Sequence, residues 1–175
     1  MKVLVAYASS EGQTRKIARW ISDRIADSGH SVELASVADA AGIDFGRFDR
    51  VILAASIHVG HYQRAFTDFV STEAKNMRGT QVLFLSISLA AAGHDAEDWT
   101  GLDRVLSDFC AATGWTPDKT EQIAGAYKPS QYDVFRRFVM RRIVAAKDPQ
   151  AELDADKEYT DWQRLTEEVD DWLGL

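Results

Sequence analysis

The chain has 175 residues, 46% of them hydrophobic, a single cysteine and a formal net charge of −7. That length suits one domain with a real core. The lone cysteine excludes an internal disulfide or a paired-cysteine redox centre, and the acidic balance argues against nucleic acid as a partner.

The first element is an apolar strand, Lys2–Ala8, followed by the hydroxyl-rich turn Ser9-Ser10-Glu11-Gly12-Gln13-Thr14 and an amphipathic helix beginning near Arg15. Backbone N–H groups at such a turn can converge on one anion, aided by the positive end of the helix. Gly12 admits a close main chain, and Ser9, Ser10 and Thr14 offer hydroxyl donors. The turn lacks the lysine and spacing of a nucleoside-triphosphate loop and the three glycines of a dinucleotide fingerprint, so a phosphate monoester is the expected ligand. Glu11 is expected to contribute its N–H and to turn its side chain to solvent.

Ile17, Trp20, Ile21 and Ile25 line one face of the first helix. The next strand, Val32–Val37, is polar enough for a sheet edge, whereas Arg50–Ala55 and Gln81–Ser88 read as strands buried on both faces. Phe66, Phe69 and Val70 mark the second helix, and Leu102, Val105, Leu106, Phe109 and Cys110 the third, where the thiol is expected to be packing. Strand Glu121–Ala126 follows. The last helix carries Trp162, Leu165, Val169, Trp172 and Leu173, with Thr160 and Gln163 in capping-box spacing.

Strands alternating with helices specify an α/β architecture: a flavodoxin-like, doubly wound, five-stranded parallel sheet of order 2-1-3-4-5. Ligands in such sheets bind beyond the carboxyl ends of the strands, at the switch point. The segments that should gather there are the phosphate turn, Ser56-Ile57-His58-Val59-Gly60-His61-Tyr62 and Ser86-Ile87-Ser88-Leu89-Ala90-Ala91. Small residues and backbone polar groups suit the edge of a flat ring, with Tyr62 or His58 placed to cover a face. A phosphate pocket beside a ring site implies flavin mononucleotide (FMN). His58, His61 and Tyr62 are the candidates for moving protons or orienting the ring. No residues have metal-ligand spacing, and no metal is expected.

A βα connection takes roughly 2–6 residues, yet about thirty separate the fifth strand from the last helix. One domain over residues 1–175 is therefore expected to carry an insertion at 128–158, emerging beside the ring site. Residues 128–147 hold six basic side chains and one acidic, while residues 148–175 hold two and ten. Tyr132–Ala146 reads as a helix with Phe135, Phe138, Val139 and Ile143 on one side and Arg142 intruding. Lys128, Tyr132, Phe135, Arg136, Arg137, Phe138 and Arg141 are its candidate contacts, either to substrate carboxylates or to an anionic membrane surface. The alternative is a solvated helix facing the acidic residues that follow it.

The turn Ser9 to Thr14, the block Ala55-Ser56-Ile57-His58-Val59-Gly60-His61-Tyr62, Ile123-Ala124-Gly125-Ala126 and the late Tyr159-Thr160-Asp161-Trp162 resemble the flavodoxin-type, menaquinone-dependent protoporphyrinogen oxidases of bacteria. The resemblance covers almost the whole chain. It implies that Ser9, Ser10, Gly12, Gln13 and Thr14 hold the phosphate and that the loops at 56–62 and 86–92 frame the flavin ring. It further implies oxidation of protoporphyrinogen IX in haem biosynthesis, menaquinone or ubiquinone as acceptor, and a cytoplasmic protein peripheral on the inner face of the cell membrane. Two alternatives stay open on the residues alone: a soluble flavin electron carrier and a flavodoxin-like NAD(P)H:quinone reductase. The absence of any run of about 18 apolar residues, or of a secretory leader pattern, fits each of these readings.

Overall fold

A computed structural model describes residues 1–175. The elements run β1 (Lys2–Ala8), α1 (Gln13–Asp27), β2 (Ser31–Ser36), β3 (Arg50–His58), β4 (His61–Tyr62), α2 (Arg64–Glu73), β5 (Gln81–Ser88), α3 (Ala96–Thr113), β6 (Lys119–Ala124), β7 (Ala126–Tyr127), α4 (Val134–Lys147), β8 (Lys157–Glu158) and α5 (Trp162–Leu173). The main sheet has the order β2-β1-β3-β5-β6, all parallel, with β4 folded back on the end of β3. This is the expected doubly wound order.

Alternation along the strands divides the core in two. Leu4, Ala6, Leu53 and Phe84 face α2 and α3, where Phe66, Phe109 and Trp115 complete an aromatic-rich cluster of 19 buried residues. Val3, Val5, Ile52, Leu83 and Ile87 face α1 and α5, meeting Ile17, Ile21, Ile25, Leu165 and Val169 in a cluster of 15. Full burial of each such aliphatic side chain contributes roughly 1.5–3 kcal/mol. The central strands are apolar throughout because both of their faces are covered, and β2 is a half-exposed edge as its polarity predicts. Cys110 packs against the first cluster, where burial pushes its thiol pKa up.

Two local expectations are corrected. Trp20 lies not in the core but at 48% exposure, its ring 5.1 Å from that of Trp162 across the α1–α5 seam. Thr160 and Gln163 form no capping box: Asp161 caps α5 by accepting from the Arg164 N–H at 3.0 Å, while the Thr160 hydroxyl donates to the Ala124 carbonyl at 2.7 Å.

The insertion begins and ends in the two-stranded β7–β8 ladder, Ala126 opposite Glu158 and Tyr127 opposite Lys157. Its helix starts at Val134, two residues later than expected, because the Asp133 carboxylate caps it by accepting from the Arg136 N–H at 2.7 Å. Tyr127, Tyr132 and Val144 form its small core. The Tyr127 hydroxyl donates to the Leu153 carbonyl at 2.8 Å, and Arg141 pairs with Asp154, so part of the basic helix does face the acidic residues that follow it.

Candidate functional site

At the carboxyl end of β1 the chain turns through Gly12, whose φ of 85° lies in the left-handed region that other residues enter at a cost. The Ser9 hydroxyl accepts from the Gly12 N–H at 3.0 Å, holding the turn shut. Beyond it α1 begins without a side-chain cap, and the N–H groups of Gln13 and Thr14 meet no acceptor within the protein. Thr14 is 1% exposed, and its hydroxyl, without a protein partner, is not sealed from solvent. A free hydroxyl beside free helix-end N–H groups is the donor set of an anion site.

The turn opens into a cleft of about 760 Å³. One wall is Ser56 to Gly60, another Ile87 to Ala90 with Gly125, and the roof is the inner side of α4, with Phe135, Val139, Met140 and Ile143. A Cβ on Gly125 would stand 3.0 Å from the Ile87 side chain, which would have to move by a few tenths of an ångström to admit it. Between β3 and β4, Val59 (φ 50°) and Gly60 (φ 76°) make a two-residue hairpin turn with both central residues left-handed. For a β-branched residue that is a strained backbone, and it lies on the rim of the cleft.

A polar chain joins the walls to the roof. Arg136 of α4 pairs with the Glu11 carboxylate, lies 4.6 Å over the Tyr132 ring and donates to His58 Nδ1 at 2.8 Å. An arginine can only donate, so Nδ1 accepts, the proton of the neutral ring sits on Nε2, and Nε2 donates to the Ser56 hydroxyl at 3.0 Å. Burial lowers the His58 pKa and Arg136 lowers it further, against an opposing pull from Glu11. Lys128 donates from Nζ to the Glu11 carbonyl at 3.0 Å. The Gln13 amide, 6% exposed, donates to Glu158 at 2.9 Å and to the Thr160 hydroxyl at 3.0 Å, tying the turn to the end of the insertion.

Against expectation, the Glu11 side chain is turned inward and 10% exposed, because the insertion brings Arg136 and Tyr132 to meet it. Tyr62 covers no ligand face: it is 6% exposed among Phe66, Phe84 and Phe109, bonded to the Ser86 hydroxyl at 2.8 Å, and burial pushes its pKa up to about 12. Ser86 is likewise sealed beneath it, and His61 is exposed. Ser9, Glu11, Gln13, Thr14, Ser56, Ile57, His58, Val59, Gly60, Ile87, Ser88, Leu89 and Ala90 line the cleft together; Ser10, Gly12 and Ala91 are not part of its lining. Of the insertion candidates, Tyr132, Phe135 and Arg136 reach the cleft. Lys128 goes to the turn, Arg137 donates to the Pro129 carbonyl, Arg141 pairs with Asp154, and Phe138 points outward at 60% exposure. Sequence reading missed Asp98, Leu102, Met140 and Lys147 in the cleft wall, and Gln63, whose amide lies 2.9 Å from the Ser10 hydroxyl. Met140 and Lys147 were legible as helix neighbours of Arg136 at multiples of four or so; the others carry no local signal.

A phosphate-type turn, two small-residue loops at the carboxyl ends of β3 and β5, and the 2-1-3-4-5 order together define a flavodoxin-like protein. The chain belongs to the flavodoxin domain family, whose sequence profile matches residues 4–154. It is 28% identical over 165 residues to the protoporphyrinogen IX dehydrogenase [quinone] of Escherichia coli strain K12, covering 94% of this chain and 91% of that one. With the protein of the same name from Leishmania major it shares 27% over 177 residues, 99% of this chain and 75% of the other. Among solved structures, oxidised flavodoxin 1 from Bacillus cereus superposes with a TM-score of 0.60 at 12% identity, over 99% of this chain and 98% of that one. A short-chain flavodoxin associated with a bacterial microcompartment gives 0.62 at 14%, over 99% and 97%. At those identities the structural likeness speaks to the fold alone.

Proposed function

We propose that this chain is an FMN-dependent oxidoreductase that converts protoporphyrinogen IX to protoporphyrin IX and passes the electrons to a quinone, in haem biosynthesis. The observation that carries the reading is the continuity of the cleft, which runs from an anion-accepting turn past two ring-edge loops to an apolar roof supplied by the insertion. Likeness to the E. coli dehydrogenase over nearly the whole of both chains, insertion included, supports it.

The residues present fit FMN. Ser9, Ser10, Glu11, Gly12, Gln13 and Thr14 would hold the phosphate, the free N–H groups and the Thr14 hydroxyl being donors without acceptors in the protein. Ser56 to Gly60 and Ile87 to Ala91 would flank the ring, which when bound supplies electron-pair transfer. Phe135, Val139, Met140 and Ile143 exclude water from that edge and offer an apolar face to a porphyrinogen or quinone ring. Of the proton-moving candidates, His58 alone lies on the cleft; with Nδ1 fixed by Arg136, its Nε2–H donates to the Ser56 hydroxyl and orients it. We read residues 1–175 as one domain and 128–158 as a lid on it. The quinone is menaquinone or ubiquinone, met at the anionic inner face of the cell membrane through the outer side of α4. No helix is long and apolar enough to cross a membrane.

Anaerobic turnover tests the proposal. FMN-loaded protein given protoporphyrinogen IX and a menaquinone analogue should yield porphyrin fluorescence at a rate set by the quinone. Porphyrin formation no faster than without protein, with flavin reduced only by NAD(P)H or a protein donor, would overturn it.

A further inference from the structure

The phosphate turn contains no cation, and the fold brings one to it from the far end of β6. We propose that Lys128 is the counter-charge of the phosphate, so that a residue of the insertion is part of the FMN site; the inference rests on the FMN reading above.

Three observations converge. Lys128 Nζ donates to the Glu11 carbonyl at 3.0 Å and stands 3.9 Å from where a Cβ on Gly12 would lie, directly over the turn. Its ammonium has three donors, one is used, and no carboxylate lies within salt-bridge distance of it. Of the other nearby cations, Lys16 pairs with Glu158 at 2.6 Å and Arg136 with Glu11, while Arg15, unpaired in the first turn of α1, is exposed and does not line the cleft. The second pair also neutralises the carboxylate of the turn itself, as Lys16 neutralises Glu158 beside Gln13. The position of Lys128 is itself fixed, since its N–H donates to the Tyr132 hydroxyl at 3.3 Å within the insertion's small core. An ammonium held over free helix-end N–H groups and a free threonine hydroxyl is complementary to a doubly charged monoester and indifferent to an uncharged ribityl chain.

The test compares FMN with riboflavin, which shares the ring and sugar chain but lacks the phosphate, by quenching of flavin fluorescence in the wild type, Lys128→Met and Lys128→Arg. Lys128→Met should weaken FMN binding by about 10- to 100-fold, the range of one charge-assisted contact, while riboflavin binding changes by less than about 3-fold. Its FMN affinity should also fall less steeply with salt than that of the wild type. Lys128→Arg keeps the charge and should recover most of the FMN affinity, which makes it the informative variant if the methionine protein folds poorly. Equal losses for both flavins, or no loss for either, would overturn the assignment while leaving the FMN reading intact. A wild-type protein that binds neither flavin would bring down that reading and the assignment with it.

Discussion

In the doubly wound frame, clusters of 19 and 15 buried residues hold the strands between their helices, whereas residues 128–158 rest on a core of three buried side chains and are fastened mainly by polar contacts. Arg136 to Glu11 and His58, Lys128 to the turn, and Gln13 to Glu158 and Thr160 all reach from the insertion into the site. A segment with few buried apolar contacts opens locally at lower cost than the whole fold unfolds. The insertion should therefore open before the frame does, and a ligand that touches both regions should hold it closed.

The largest effect should come from the frame. Leu53→Ala empties a fully buried position in the central sheet and should cost about 2–5 kcal/mol in chemical denaturation. Arg136→Met should act differently: removal of the latch should leave the global transition nearly unchanged but speed deuterium exchange in α4 by roughly 5- to 30-fold, equivalent to about 1–2 kcal/mol of local opening. If exchange in α4 instead tracks global unfolding in both variants, the two regions form one cooperative unit and the distinction fails.

Val59 sharpens the comparison from the rim of the frame. Its side chain is 96% exposed and packs on nothing, while its φ of 50° costs an L-residue about 1–2 kcal/mol. Val59→Gly should raise stability by about 0.5–1 kcal/mol after the extra chain entropy of glycine, visible as a higher Tm. A lower Tm would mean that the turn is not strained. Acid should loosen the latch more gently. His58 has its folded pKa below the ordinary histidine value of about 6.5, so the closed form prefers the neutral ring. That contribution is fully present above about pH 6.5 and is lost as pH falls toward the folded value, because the opened state then binds the proton more readily. Exchange in α4 should therefore quicken between neutral and mildly acid pH, and His58→Gln should flatten the profile.

Legibility followed the locality of the physics. The bounds of β1 and β5 were readable to the residue because burial on both faces makes each an unbroken apolar run between turn signals. The phosphate turn was readable because its donors are adjacent in sequence. Sequence reading turns Glu11 to solvent and assigns Lys128 to substrate or membrane, because their meeting depends on how a long insertion folds back over the turn, which no periodicity records. Tyr62 looked like a ring cover because its neighbours are loop residues. Its own burial is decided by Phe66, Phe84 and Phe109, drawn from three other elements.

The smallest expected effect on stability falls on the outer face of α4, where the two regions differ most in purpose. At helical spacing Val134, Phe138, Arg141 and Arg142 share one side, with Val134 at 86% exposure and Phe138 at 60%, while Phe135, at 78%, stands at the mouth of the cleft. Large apolar side chains left in water beside arginines add nothing to the fold, so Val134→Ser with Phe138→Ser, neither of which lines the cleft, should shift stability by no more than about 0.5 kcal/mol. Those same residues suit a membrane interface, where arginines meet lipid phosphates and aromatic rings enter the headgroup boundary. The wild type should therefore sediment with vesicles of anionic lipid at low salt and be released at high salt, and the double variant should stay in solution under both conditions. With a water-soluble quinone analogue the variant should turn over as the wild type does, but with a long-tailed quinone carried in vesicles it should slow. Equal vesicle binding by the two proteins would place the membrane contact elsewhere, and a loss with both quinones would mean that Val134 and Phe138 serve the cleft and not the lipid.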